Sequence, residues 1–376
     1  MPQSLTGELR VPSNANRWPA QVRVFVAAVH LVGLLFFAGH LHGQHTIQVT
    51  DGCATCRVTL DTLLVVSDEA MPGAFGIGPQ VTRDPIGRWY VTSYGAGQVF
   101  VLGPDGQHVA TIGRSGEGPG EFRTISELAW VNGHLLAYDY RLLRRSHFDS
   151  TFQYVQGDPL PASFSSIEHF QNGTSAVAVH IATPDLVGYT IHLLDSDGAS
   201  RHALGYTGDV VRPDQSANTM RRRLGLEGDS VIWSAPLFKY RLEAYALDGS
   251  LRRVLTRDVD WFPESSGSSM YPERPPAGLT DIHFDDRAGI LWALAQAQDP
   301  DWTPPPRPGP ATQEKSNSAY DSVVEAIDVQ TGEALAHIRL PDMMWGFSDQ
   351  GFISHIETDT EAGVVWLRVV SPTLRR

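Results

Sequence analysis

Cysteine is almost absent from this chain: two in 376 residues, Cys53 and Cys56, in the run GCATCR. That excludes a disulfide-stapled scaffold. No second pair exists to complete a zinc tetrad. A c-type haem attachment needs His directly after the second cysteine, where Arg57 stands. A simple disulfide, two free thiols and a redox pair remain open. Also missing are a P-loop, a G-x-G-x-x-G opening a helix, an H-E-x-x-H and a G-x-S-x-G elbow. Nucleotide binding, zincin chemistry and the common serine-hydrolase design therefore have no motif to stand on.

Positive charge is short as well. The net charge is −13, and the first 43 residues hold Arg10, Arg17 and Arg23 against Glu8 alone, so the remainder is more acidic still. Such a body does not suit nucleic acid or an anionic lipid surface. It suits a basic partner, or simply solubility.

Long hydrophobic runs are scarce too; the chain has one, between Val22 and Leu41. From Val24 onward it carries no formal charge and would make a helix about 27 Å long at ~1.5 Å per residue. That is close to the ~30 Å hydrocarbon layer. A cleaved signal peptide wants an apolar run of about 7–15 residues and small residues before the cut. Here a polar leader with Pro2, Pro12 and Pro19 precedes a longer run, and a cut after Gly43 would leave bulky Leu41 beside it. The expectation is an uncleaved anchor: a cytoplasmic tail over 1–21, a transmembrane helix over 22–42, a tether with the C-x-x-C pair over 43–56, and an extracytoplasmic body over 57–376. The membrane would then be an inner or intracytoplasmic one, with the body in the periplasm. His30 lies mid-run, where an ionisable group is expensive unless neutral and paired. It therefore reads as a contact to a neighbouring helix, or a ligand to a haem or chlorophyll metal.

The body repeats. Glycine turns at Gly87, Gly133, Gly173, Gly228, Gly289 and Gly363 each introduce an apolar strand such as GRWYVT or GVVWLR. Second turns follow at Asp105-Gly106, Asp149-Ser150, Asp197-Gly198, Asp248-Gly249 and Thr331-Gly332, the Asp-Gly pairs being hairpin signals. Six first turns against five second turns leave the last unit without an outer strand. The strand near Val58–Val66 lacks a unit of its own. The two deficits cancel if the chain closes into a ring, which also removes free sheet edges. The expected fold is all-β: a six-bladed β-propeller closed by an N-terminal strand.

The segment Gly113–Phe122, GRSGEGPGEF, resembles the connector of bacterial six-bladed propellers related to NHL repeats. Its Gly and Pro make a tight surface link, Phe122 re-enters the core, and Glu117 and Glu121 read as solvated or turn-bonding. Two insertions, 256–278 and 299–320, are too long for hairpin loops. They carry Trp261, Trp302 and the run Pro304, Pro305 and Pro306, which read as partner-docking residues. An anchored acidic propeller with protruding Trp/Pro loops is similar to the extrinsic accessory subunit of bacterial photosynthetic reaction-centre/light-harvesting complexes. That resemblance implies a non-catalytic structural subunit. Its partners would be membrane proteins carrying bacteriochlorophyll and carotenoid, with no cofactor held firmly by this chain. A second reading is a lactonase-like hydrolase with a divalent metal such as Ca²⁺ in the axial channel, held by Glu127, Glu168, Asp281 and Glu357 near His169, His283 and His355. A third is a ligand-binding or signalling propeller. The densest basic spot is Arg221–Arg223, read as a salt-bridged surface or a contact for an acidic neighbour.

Overall fold

A computed structural model describes residues 45–72, 78–93, 95–181, 183, 185–206, 221–265, 275–303, 319–359 and 361–376. Residues Gln44–Arg376 form one compact unit. The expected tail, the helix over 22–42, His30 and Pro304–Pro306 lie outside the described residues. Among the described residues no helix is long and apolar enough to cross a membrane.

The turns come first, because they set the strand lengths. All six first-turn glycines adopt positive φ, from 55° at Gly228 to 91° at Gly87, a conformation a Cβ would strain. Asp side chains brace turns of both sets. Asp84 Oδ1 accepts the Ile86 and Arg88 amides, and Asp149 Oδ1 accepts those of Thr151 and Gln153. Between turns, β-branched and aromatic residues supply the strands.

The N-terminal strands are β1 (His45–Asp51) and β2 (Arg57–Ser67). One sheet holds β3 (Pro79–Arg83), β4 (Trp89–Ser93), β5 (Val99–Leu102) and β6 (His108–Ile112). The next holds β7 (Ile125–Val131), β8 (His134–Asp139), β9 (Arg144–Phe148) and β10 (Tyr154–Pro159). A third holds β11 (Phe164–His169), β12 (Ser175–Val179), β13 (Tyr189–Leu194) and β14 (Ser200–Tyr206). Two more meanders follow: β15 (Arg222–Glu227), β16 (Val231–Pro236), β17 (Arg241–Ala246) and β18 (Leu251–Arg257), then β19 (Gly278–Asp285), β20 (Ile290–Gln298), β21 (Tyr320–Asp328) and β22 (Glu333–Leu340). Last come β23 (Met344–Phe347), β24 (Ile353–Asp359) and β25 (Val364–Arg375).

The ring closes as the turn count demanded. Strand β2 pairs antiparallel with β25 from Arg57–Arg375 to Ser67–Trp366 and completes the last sheet in the order β2-β25-β24-β23. Strand β3 lies against β7, β11 against β15, β15 against β19, β19 against β23, and β24 against β3. The arrangement is a β-propeller.

Two expectations need correction. The 43–56 segment is not all tether, because His45–Asp51 is a strand that runs parallel to both β18 and β22. The alternation in HTIQVTD supports this: Val49 is buried between exposed Gln48 and Thr50. Consequently the sheet count is not six separate blades. Among the described residues it is four four-stranded sheets and one nine-stranded sheet, in which β1 welds two meanders. Cys53 and Cys56 form a disulfide at the corner where β1 hands over to β2.

The apolar mass lies between sheets. Trp233, Tyr240, Leu242 and Leu279 are almost fully buried in the largest cluster. Trp261 and Phe262, from the first insertion, pack on it, with ring centroids 5.8 Å and 5.1 Å from that of Tyr240. Trp261, expected as a docking residue, thus serves the protein's own core. Glu121 behaves as the connector reading expected: Oε2 accepts the Glu117 and Gly118 amides at 3.1 and 2.8 Å, and Arg114 pairs with Oε1. Phe122 is fully buried.

Candidate functional site

The inner strands surround a central channel, and with side chains alternating along each strand, one set from several of them reaches it. Strand β7 delivers Glu127, β11 delivers Glu168, β15 delivers Arg223 and β19 delivers Asp281. Asp349 comes from the tight turn between β23 and β24. These five line one narrow waist of about 30 Å³. On one side the waist opens into a cleft of about 710 Å³, whose walls include Gln80, Phe164, Arg221, Arg223, Trp345 and Phe347. On the other side a cavity of about 450 Å³ is lined by Trp130, Glu168, His169, Asp349 and Gln350.

The carboxyls are held by backbone donors. Asp281 Oδ2 accepts the Phe347 amide at 2.8 Å and Oδ1 its neighbour Ile282 at 3.0 Å. Asp349 accepts the Thr82 hydroxyl at 2.8 Å and the Trp130 amide at 3.0 Å. Glu127 accepts only the Leu128 amide, at 3.3 Å. Arg223 donates Nη1 to the Ser165 carbonyl, which commits part of its guanidinium to the backbone.

Each carboxyl keeps some surface on the channel while protein surrounds it elsewhere. Burial therefore pushes all four above their ordinary range. Glu127 rises to about 8, with Asp281 and Asp349 adding repulsion. Asp281 and Asp349 each rise to about 6; Arg223 and backbone donors oppose burial at Asp281, and the Trp130 amide and Thr82 hydroxyl do so at Asp349. Glu168 is raised well above its norm, by burial and then by the three other acids. His169 beside it is driven down to about 3, by burial and then by Arg145 and His147, so it stays neutral. It bonds the Tyr138 hydroxyl at 3.1 Å and Ser175 at 3.0 Å. At neutral pH the waist thus holds both protonated and ionised carboxyls.

Of the residues named for a metal, Glu127, Glu168 and Asp281 come together; Glu357 does not. It sits on the surface in an ion pair with Arg368. The three do not fit a divalent ion: among the described residues no group of three or more His, Cys, Asp or Glu converges enough to hold one. His283 and His355 line none of the three cavities described. Trp302 is half-exposed, its amide bonded to the Asp299 carbonyl.

Asp349 went unrecognised in the sequence, and Arg223 was noted only as part of a basic run, not as a channel residue. Strand periodicity was the available signal for Arg223, since in a strand Arg221 and Arg223 share one face and Arg222 the other. Arg222 indeed pairs with Glu243 inside its sheet, while the other two reach the cleft. Asp349 lies in an ordinary polar turn and gave no signal.

No protein-family model matches the chain, and no curated protein matches it. In fold it is similar to a Bacteroides fragilis protein described as exported, with a TM-score of 0.53, 10% identity, and 88% of this chain and 100% of that one covered. It is also similar to a member of the DUF4221 family from Bacteroides vulgatus, with a TM-score of 0.55, 11% identity, and 84% and 99% covered. At that identity the likeness shows the fold alone.

Proposed function

We propose that this protein is an extracytoplasmic propeller that binds a small organic ligand in its axial cleft. The observation that carries the reading is convergence. Separate strands and one turn bring four carboxyls and the Arg223 guanidinium to one waist, and Glu127, Asp281 and Arg223 of that set also line a 710 Å³ cleft whose walls add Arg221 and aromatic side chains. Concave, largely apolar sites with a few convergent polar groups and perturbed ionisation are the usual form of a ligand site. The Cys53–Cys56 disulfide supports an oxidising compartment, and one neighbour in fold is described as exported.

A metal-dependent hydrolase is not favoured, because the donors are spread too widely. A docking subunit rests on residues 22–42 and Pro304–Pro306, outside the described residues, and on Trp302. The neighbours in fold lend no support to a photosynthetic complex.

Thermal-shift measurement of the full-length protein against amines, carboxylic acids, sugars and lactones tests the reading. At least one class should stabilise the wild type and lose its effect in Trp345→Ala. Stabilisation by none, or equal stabilisation of Trp345→Ala, would count against the cleft.

A further inference from the structure

Resting on that cleft reading, we infer that its occupant is a cationic amine on a flat apolar body, and that its capture is controlled by protons on the waist carboxyls. The charges facing the waist can be taken element by element. Strand β3 offers only uncharged Gln80 and Thr82. Strand β7 offers Glu127, and β11 offers Glu168 and His169. Arg223 comes from β15, Asp281 from β19 and Asp349 from the β23–β24 turn. At the waist four acids outnumber the one guanidinium of Arg223, which is partly committed to the Ser165 carbonyl, while Arg221 stands further out in the cleft wall, where Glu127 and Asp281 are the acids that reach. Neutral His169 adds no positive charge.

An ionised carboxylate offers about four acceptor sites. Asp281 spends two of them on the protein and Glu127 one, while Asp349 is engaged by Thr82, Trp130 and the amides of its own turn. The acceptor sites left over belong to side chains that line the waist. A metal would need them together at about 2.3–2.6 Å. An ammonium instead offers three donors reaching about 2.7–3.2 Å in separate directions. Spread carboxyls that do not fit a metal therefore suit an amine. The walls agree: Phe164, Trp345 and Phe347 supply flat apolar surface, and the shielded indole nitrogen of Trp345 has no acceptor within the described chain.

Proton control follows from linkage. With no cation bound, burial holds protons on these acids into the neutral range. A bound ammonium favours their ionised forms, so binding expels protons. An alkylamine itself stays charged up to about pH 10, by analogy with lysine. Raising the pH therefore ionises the site without neutralising the ligand.

The test uses three shape-matched probes on the full-length protein: 2-phenylethylamine, 2-phenylethanol and 3-phenylpropanoate, titrated calorimetrically at pH 5 and pH 8. The amine should bind about tenfold tighter at pH 8, the change expected when one carboxyl with a pKa near 6 must be ionised. Its apparent heat should vary with buffer ionisation enthalpy, reporting proton release. The alcohol should bind more weakly and without pH dependence. Asp281→Asn/Asp349→Asn should abolish the amine's advantage, with circular dichroism confirming the fold. Glu127→Gln, a milder change, should remove part of the proton release. Equal binding of amine and alcohol, or strongest binding of the acid, would overturn the amine assignment while leaving the cleft reading standing. If none of the three binds, or Trp345→Ala leaves the amine's affinity unchanged, the cleft reading and the amine assignment both fall.

Discussion

Single side chains in the channel set how the protein answers to pH, and two groups of them pull in opposite directions. Carboxyls with raised pKa values hold protons that the unfolded chain has released, so they weaken the fold as pH rises from about 4 through the folded values. For Glu127 that window reaches about 8. Histidines with lowered values, His169 near 3 and His283 near 4, act the other way: their contribution is lost as pH falls below about 6.5. Between pH 6.5 and 8 the acids dominate. Urea-unfolding midpoints should therefore decline over that interval in the wild type and decline less in Glu127→Gln. An identical slope would mean that the Glu127 carboxyl is not perturbed. The connector gives a second case at this scale. Glu121 accepts two amides and an Arg114 pair. Glu121→Ala should lower the urea-unfolding midpoint modestly, because solvent can take over the two freed amides. Of the channel groups, Glu127, Glu168 and Asp281 were legible in the sequence as inner-strand acids. Arg223 was hidden in a basic run and Asp349 in a turn, because which face a residue takes depends on a register that only pairing fixes.

Among the elements, the turns were the most legible part and the first strand the least. A glycine that must take positive φ announces itself at Gly87 or Gly228. The strand β1 does not, because seven alternating residues next to a long apolar run read as a tether. What makes it a strand is tertiary. Arg257 of β18 is buried between Asp51 of β1, at 2.6 Å, and Glu325 of β21, at 3.0 Å, while the Tyr240 hydroxyl donates to Glu325 at 2.5 Å. Asp51 is mostly exposed, so Asp51→Asn should have a small effect. Glu325→Gln strands a buried guanidinium and should cost about 3–5 kcal/mol, measured by chemical denaturation. Costs of equal size would show that the clasp depends on β1 rather than on the pair across the two meanders.

For the whole molecule, closure is the architectural commitment. Strand β2 supplies Val58, Leu64 and Val66 to clusters shared with the last sheet. Removing residues 45–67 exposes that apolar surface and leaves β25 with an unpaired edge, a template for association. The truncated protein should lose cooperative unfolding in calorimetry and elute as aggregates. A monomer with an unchanged melting profile would show that the ring does not need its N-terminal clasp. Closure also explains the site: only a ring brings inner strands as distant in sequence as β7 and β19 to one waist, which is why composition and motifs pointed to no chemistry.

The most direct measurement is a crystal structure of the full-length protein soaked with 2-phenylethylamine at pH 8. The account predicts the ring against Phe164, Trp345 or Phe347, with the ammonium within hydrogen-bond distance of Asp281 and Glu127. An empty cleft, or the probe bound only elsewhere, would contradict it.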